Sequence, residues 1–237
     1  MEISLVSQYR QRLQSALTDR AALTLPSTWR LLFVAVAFVL IYITLAFLFH
    51  PKDADADYHF VNEDGAITAL SALFMATAAG ITVSAYIIAK QRGFRDKYLW
   101  LLMASAFGFL ALDELLEFHE HFGGILNILT SKVGMDSGVF RNWNDVIVIA
   151  YGLAALPLGL RFLPAVLRYP GLMERLTLAA LFFVLHTVID SVSEPSVRSV
   201  VMEESAKLFT ALFLALAAYS ALLGTVYKTR RVKGSTA

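Results

Sequence analysis

Six stretches of about 20 mainly apolar residues, each bounded by polar loops, divide this chain from end to end. A helix of that length crosses a hydrocarbon core ~30 Å thick, which places spans near Leu31–Phe49, Ala66–Ala89, Tyr98–Leu116, Val146–Leu167, Leu176–Val192 and Ser205–Tyr227. The runs are too long for barrel strands, and in lipid a helix satisfies its own backbone. The pattern therefore predicts an all-α, polytopic transmembrane bundle of six spans. Ahead of the first span, Leu5, Val6, Tyr9, Leu13 and Leu17 recur at helical spacing, with Arg10, Gln11, Arg12, Gln14 and Arg20 on other faces. This predicts an N-terminal amphipathic helix lying in the membrane interface. The first apolar run is long enough to span and shows no small-residue cleavage site, so it is expected to stay uncleaved. In the second span Ala72, Ala76, Gly80 and Ser84 fall four residues apart. That register lets backbones approach closely and predicts a central place for this helix.

Charge gives the orientation. Of the 20 Lys and Arg residues, all but Lys52, Lys132, Arg141, Arg198 and Lys207 lie in the N-terminal segment, the loops after the second and fourth spans, and the tail. The positive-inside rule puts those segments in the cytoplasm, so both termini are expected inside. The organisation is then a cytoplasmic amphipathic segment over 1–29, a six-helix domain over 30–227 and a basic tail over 228–237. Trp29 and Trp100 fall at the inner interface and Trp143 at the outer one, where amphipathic rings are at home. The 19 acids are distributed the opposite way: only Glu2, Asp19, Asp96 and Glu174 are inside, and the five histidines (His50, His59, His119, His121 and His186) are all outside. Acids steer topology weakly, so this second asymmetry points to a site.

Composition narrows the chemistry. With 57% hydrophobic residues, 16% charged residues and a mean hydropathy of +0.62, the chain is too apolar for a soluble domain, and its expected partner is the lipid bilayer rather than nucleic acid. It has no cysteine, which excludes disulfides, thiolate nucleophiles and thiolate-ligated metals. A metal would have to use His and carboxylate.

The outer ends of four spans supply such groups. The third span carries Asp113, Glu114, Glu117, His119, Glu120 and His121 before Gly123-Gly124, a pair expected to end the helix. In a continuous helix Asp113, Glu117 and Glu120 share one face, and Glu114, Glu117 and His121 an overlapping one. The fourth span opens with Asn142, Trp143, Asn144 and Asp145. The fifth places His186 and Asp190 four residues apart, followed by Ser193, Glu194 and a helix-stopping Pro195. His186 is expected near mid-bilayer. The sixth span opens with Glu203, Glu204 and Lys207.

A carboxylate inside a membrane costs ~2.5–3.5 kcal/mol on insertion scales, so these groups must be paired, protonated, metal-bound or facing water. A metal reading has Glu114, Glu117, His121, His186, Asp190 and Glu204 holding a divalent ion such as Zn, Mn or Fe. Asp113 or Glu117 would then be the general base. His119-Glu120-His121 is not HExxH, and no pair of Glu-x-x-His motifs is present. An ion-pair reading joins Lys207 to Glu203 or Glu204 and Arg141 to Asp145, leaving the rest as helix-end charges. A proton-binding carboxylate cluster uses the same residues without a metal. The acidic loop Asp53–Gly65 has Tyr58 and Asp64 where a calcium loop needs Gly and Glu. It reads as a solvated loop in which Asn62 or Asp64 caps the second span.

Asp113-Glu114 with His119-Glu120, Trp143-Asn144-Asp145, His186 with Asp190, and Glu203-Glu204 through Lys207 resemble the pattern of a family of uncharacterised, multi-pass bacterial inner-membrane proteins. The resemblance runs from about Ala66 to the end of the last span and implies no activity. Alkaline ceramidases also place Asp and His at helix ends, but their Ser-and-three-His zinc pattern is not matched here.

Three functions follow from these readings. The first is a metal-dependent membrane enzyme acting on a lipid-like substrate from the outer leaflet. The second is a proton- or cation-coupled transporter, for which the lack of ionisable groups in the inner halves of the spans is a difficulty. The third is a non-catalytic accessory subunit held by structural ion pairs.

Overall fold

The computed structural model describes residues 5–23, 27–49, 51, 58–61, 65–132, 143–192 and 196–234. Among them are nine helices: α1 (Leu5–Ala21), α2 (Trp29–Leu48), α3 (Tyr58–Val61), α4 (Ala66–Gln91), α5 (Lys97–Leu116), α6 (Phe118–Ser131), α7 (Trp143–Leu167), α8 (Leu172–Val192) and α9 (Val197–Gly234). Six of these, α2, α4, α5, α7, α8 and α9, are long and apolar enough to cross a membrane. The expected all-helical, multi-pass architecture is therefore present, with span ends close to those read from the apolar runs. The last helix differs most. It begins at Val197, takes in Glu203 and Glu204, and continues through residues 228–234 of the expected separate tail.

The centre of the bundle is α9 rather than the second span. In its most apolar stretch 67% of residues are buried, against 33% in α4, 39% in α5 and 0% in α7. Small side chains allow this enclosure: Ala206, Ala211, Ala217, Ala218, Ser220, Ala221 and Thr225 are all buried. The hydroxyls among them bond back to their own helix, Ser220 to the Leu216 carbonyl at 3.0 Å and Thr225 to that of Ala221 at 2.8 Å, so no polar group is stranded. The α4 helix lies along both α5 and α9, and α8 packs on the other side of α9.

The face that α4 presents is not the expected one. Ala72 is buried, but Ala76, Gly80 and Ser84 are exposed. The buried positions Thr68, Ser71, Met75, Ala78, Thr82, Ala85 and Ala89 alternate by three and four residues instead. This is the seven-residue seam of two helices packing at a shallow angle. A strict four-residue ladder drifts around the helix by about 40° per step and has left the seam by Ala76, because the helix has 3.6 residues per turn.

The third span also ends differently. Gly123-Gly124 does not terminate it, because α6 runs through both glycines. The break falls at Glu117, whose φ of 51° and ψ of 39° are left-handed, a conformation costing a side-chain-bearing residue roughly 1–2 kcal/mol. The single faces expected for Asp113, Glu117 and Glu120, and for Glu114, Glu117 and His121, are therefore interrupted. Gly123 has another use: a Cβ there would collide with the Asn144 side chain, so glycine lets α6 seat against α7.

The N-terminal segment is helical as expected. It lies against α7, where the Tyr9 hydroxyl donates to the Leu160 carbonyl at 3.1 Å. His50, residues 52–57 and 62–64, Arg141, Asn142, Ser193, Glu194 and Pro195 lie outside the described residues. The Arg141–Asp145 pair and the Pro195 stop lie there with them, as does the acidic loop apart from Tyr58–Val61, which form α3 with Phe60 buried rather than solvated loop, and Gly65, which takes the N-cap position of α4 expected for Asn62 or Asp64.

Enlarging a residue of the tight α9 surface forces neighbouring backbones apart. Ala217→Leu is expected to destabilise the fold by roughly 1–3 kcal/mol, while Ala76→Leu on the exposed face of α4 changes little. Thermal unfolding in detergent ranks the two.

Candidate functional site

At the end carrying the acidic residues, α5, α6, α8 and α9 bring their polar groups together around Lys207. Its Nζ lies 2.7 Å from Glu204 one turn earlier on α9 and 3.2 Å from Glu114 on α5. The ion-pair reading anticipated Glu204 but not Glu114, whose side chain reaches across from another helix. His186 of α8 stands beside this trio, within electrostatic reach of Lys207 and His119 and hydrogen-bonded to the Glu203 backbone. Its Nδ1 is buried and has no hydrogen-bond partner. A ring that donates one N–H to a carbonyl keeps a lone pair on its other nitrogen. Asp190, one turn beyond His186, interacts electrostatically with Glu204. His186 is six residues before the end of α8, about 9 Å along the helix.

A second pair joins α5 to α6 across the Glu117 break. Asp113 is buried, and its two oxygens accept the His119 backbone N–H and Nδ1, each at 3.0 Å. The carboxylate thus satisfies one of the orphan donors of the first turn of α6, where negative charge is also favoured by the helix dipole. His119 Nε2 faces Glu120 Oε1 at 3.8 Å. Burial alone would lower the His119 pKa, but the Asp113 hydrogen bond and charge, with Glu120, outweigh burial and nearby Lys207 and hold it above the ordinary imidazole value.

Glu117 and His121 belong to this junction. The Glu117 carbonyl accepts the His121 backbone N–H and, at 2.9 Å, its Nδ1, and the His121 residue is exposed. Asp145, near the start of α7, is buried. Of the proposed ligands, the structure gathers Glu114, Glu204, His186 and Asp190, and it puts the Lys207 ammonium among them. Among the described residues, no group of three or more His, Asp or Glu side chains is arranged to hold a metal ion. Lys207 places a positive charge between Glu114 and Glu204. Sequence reading singled out Lys207 only as a local partner, because its second carboxylate lies far away in the chain.

The opposite end holds a network that the sequence did not announce. The Asp96 carboxylate accepts from Arg168 at 2.6 Å, the Tyr169 hydroxyl at 2.7 Å and Lys228 at 2.8 Å. Arg168 also meets Asp19 of α1 at 3.0 Å. Burial would raise the Asp96 pKa, but Lys228, then Tyr169 and Arg168, hold it below the usual carboxylate range. Burial and the Asp96 charge push the Tyr169 phenol well above its ordinary value, so it remains a donor. Tyr169 packs edge-on to Trp100 at 4.9 Å, in space that a Cβ on Gly224 would fill. Arg20 pairs with Glu174, and the Arg175 guanidinium donates to the Thr28 hydroxyl.

The family described as Domain of unknown function (DUF8692) matches residues 21–222, from the end of α1 to well inside α9. The chain belongs to DUF8692. The match takes in both polar networks except for Asp19 and Arg20 and for Lys228, which lies beyond its end. No curated protein and no solved structure matches this DUF8692 chain.

Removing the central cation tests the acidic-end network. Lys207→Met leaves Glu114 and Glu204 without a counter-charge and is expected to cost roughly 3–5 kcal/mol. The triple replacement Glu114→Gln, Glu204→Gln and Lys207→Met is expected to recover most of that loss, again read by thermal unfolding.

Proposed function

We propose that this membrane protein binds protons at a site opening toward the side that carries its acidic loops, and that site occupancy sets how α6 sits on the bundle. The observation that carries this reading is the Lys207 trio: two carboxylates, from α5 and α9, share one ammonium. In a low-dielectric setting the trio reaches neutrality only by taking up one more positive charge, and a proton is the charge that fits between groups already in contact. His186, with its free Nδ1, stands where it can pass that proton.

Binding fits better than conduction. No ionisable Asp, Glu, Lys, Arg or His occurs in Ile67–Ala89 of α4, Leu99–Leu112 of α5 or Leu208–Val226 of α9, so the acidic-end groups have no titratable partner through the middle of these helices. The loop charges support an orientation with both termini in the cytoplasm and the site facing outward, as in a bacterial inner membrane. A metal-dependent reaction on a lipid-like substrate has less support, because Glu114 and Glu204 would first have to give up Lys207.

Infrared difference spectroscopy of the purified protein between about pH 4 and about pH 9 covers the carboxylate and imidazole ranges. A protonated-carboxyl band that titrates in the wild type and is lost or shifted in Glu204→Gln or Glu114→Gln is expected. An unchanged band in both variants, or no such band, overturns the proposal.

The His119–Asp113 pair has its own pH dependence. His119 is faced by Asp113 of α5, Glu120 of its own helix, Lys207 of α9 and His186 of α8. Because its pKa is raised in the folded protein, its stabilisation is fully present below about pH 6.5 and is lost as pH rises through the higher folded value. Hydrogen exchange of the first turn of α6 is expected to quicken over that window in the wild type and to lose this step in Asp113→Asn.

A further inference from the structure

The α6 helix is amphipathic in the opposite sense from a helix on a soluble protein. Phe122, Ile125, Ile128 and Leu129 are 62%, 54%, 61% and 54% exposed. The side turned to the bundle is mostly small or polar: Gly123 is buried against Asn144, and His119, Asn127 and Thr130 are half-buried, with Leu126 the apolar residue among them. Such a helix in water would expose its apolar face and cover its polar one, against the hydrophobic effect.

At 14 residues α6 is about 21 Å long, too short to cross the bilayer. Its apolar face nevertheless continues the exposed apolar surface of α5. Phe109 and Leu112 of α5 are 43% and 51% exposed, and Phe109 stacks on Phe118 with centroids 6.5 Å apart. From Phe118 the row passes to Phe122, Ile125 and Leu129 at helical spacing. Polar positions close both ends of the helix, with Glu120 and His121 exposed in the first turn and Ser131 and Lys132 exposed at the last.

We infer that α6 is a membrane-immersed interfacial helix, its apolar face occupied by the acyl chains of the leaflet at the acidic end of the bundle. The continuity of its exposed row with the α5 surface specifies lipid as the occupant. Glu120, His121, Ser131 and Lys132 then lie at headgroup level, and the polar face turns toward the Asp113–His119 pair. The lipid so placed covers the flank of the site, independently of whether that site binds protons.

The chain has no native cysteine, so single cysteines report unambiguously. Ile125→Cys, Leu129→Cys and, as references, Leu112→Cys and Lys132→Cys, each carrying a nitroxide, are measured in the full-length protein in lipid nanodiscs. Collision rates with oxygen, which partitions into lipid, are compared with those of a water-soluble nickel chelate. At positions 125 and 129 the oxygen-to-nickel ratio is expected to match that at position 112 and to exceed that at position 132 several-fold. Nickel access at 125 and 129 equal to that at 132 overturns the inference. So does strong spin–spin broadening at 125 or 129, which would place a second copy on this face. The positions are already exposed, and two independent sites on the same face guard against local misfolding at either one.

Discussion

Two lysines on α9 tie down α5 at opposite ends of the bundle, with α4 packed along both helices. Lys207 and Lys228 of α9 bind Glu114 and Asp96, at the end and just before the start of α5. The lysines are about 31 Å apart along α9 and the carboxylates about 27 Å apart along α5, close to the thickness of a hydrocarbon core. Between these ends α4 packs along both helices by van der Waals contact, since lipid offers no hydrophobic drive for one apolar surface to prefer another. Charge therefore fixes register and small residues fix distance. An ion pair at each end would conflict with a sliding of α5 along α9 by even one turn.

That division explains the core. Alanine, serine and threonine fill the seam because close backbone approach multiplies weak contacts, and the Thr82 and Thr225 hydroxyls are satisfied within their own helices. Beside this seam Phe182 of α8 stacks with Phe209 and Phe213 of α9, with centroid separations of 5.0 to 6.4 Å among the three rings. The helices outside this core are less constrained. In α7, residues 153–161 are exposed on every side, as befits a span that meets mainly lipid.

Sequence alone revealed the spans because length and hydropathy are local properties that the bilayer enforces residue by residue. It revealed the convergence of carboxylates and histidines at one end for the same reason, since span ends alternate in side. It did not reveal the break at Glu117. A left-handed glutamate has no local signature, and two glycines six residues on offered a better one. What holds the break is Asp113, which binds His119 through both oxygens, a tertiary fact written in two residues separated by that break. Pairing was legible where it was local, as for Glu204 and Lys207, and hidden where it joined helices, as for Glu114. The Asp96 network was hidden too: a lone loop aspartate among lysines and arginines reads as a solvated charge until Arg168, Tyr169 and Lys228 are seen folded over it.

The two networks differ in a way that separates scaffold from site. At the basic end, Asp96 and Asp19 face Arg168 and Lys228, and Tyr169 adds a neutral donor, so the charges balance with every group engaged. A network whose charges balance has little to gain from a further ligand, and its contacts lock the ends of α5, α7 and α9. At the acidic end, Glu114 and Glu204 share Lys207 and Asp190 lies within electrostatic reach of Glu204, while the neighbouring imidazole keeps an unpartnered nitrogen. Buried ion clusters add little net stability even when balanced. One that retains an excess of carboxylates at the cost of desolvating them is better explained by what it can accept than by what it holds together.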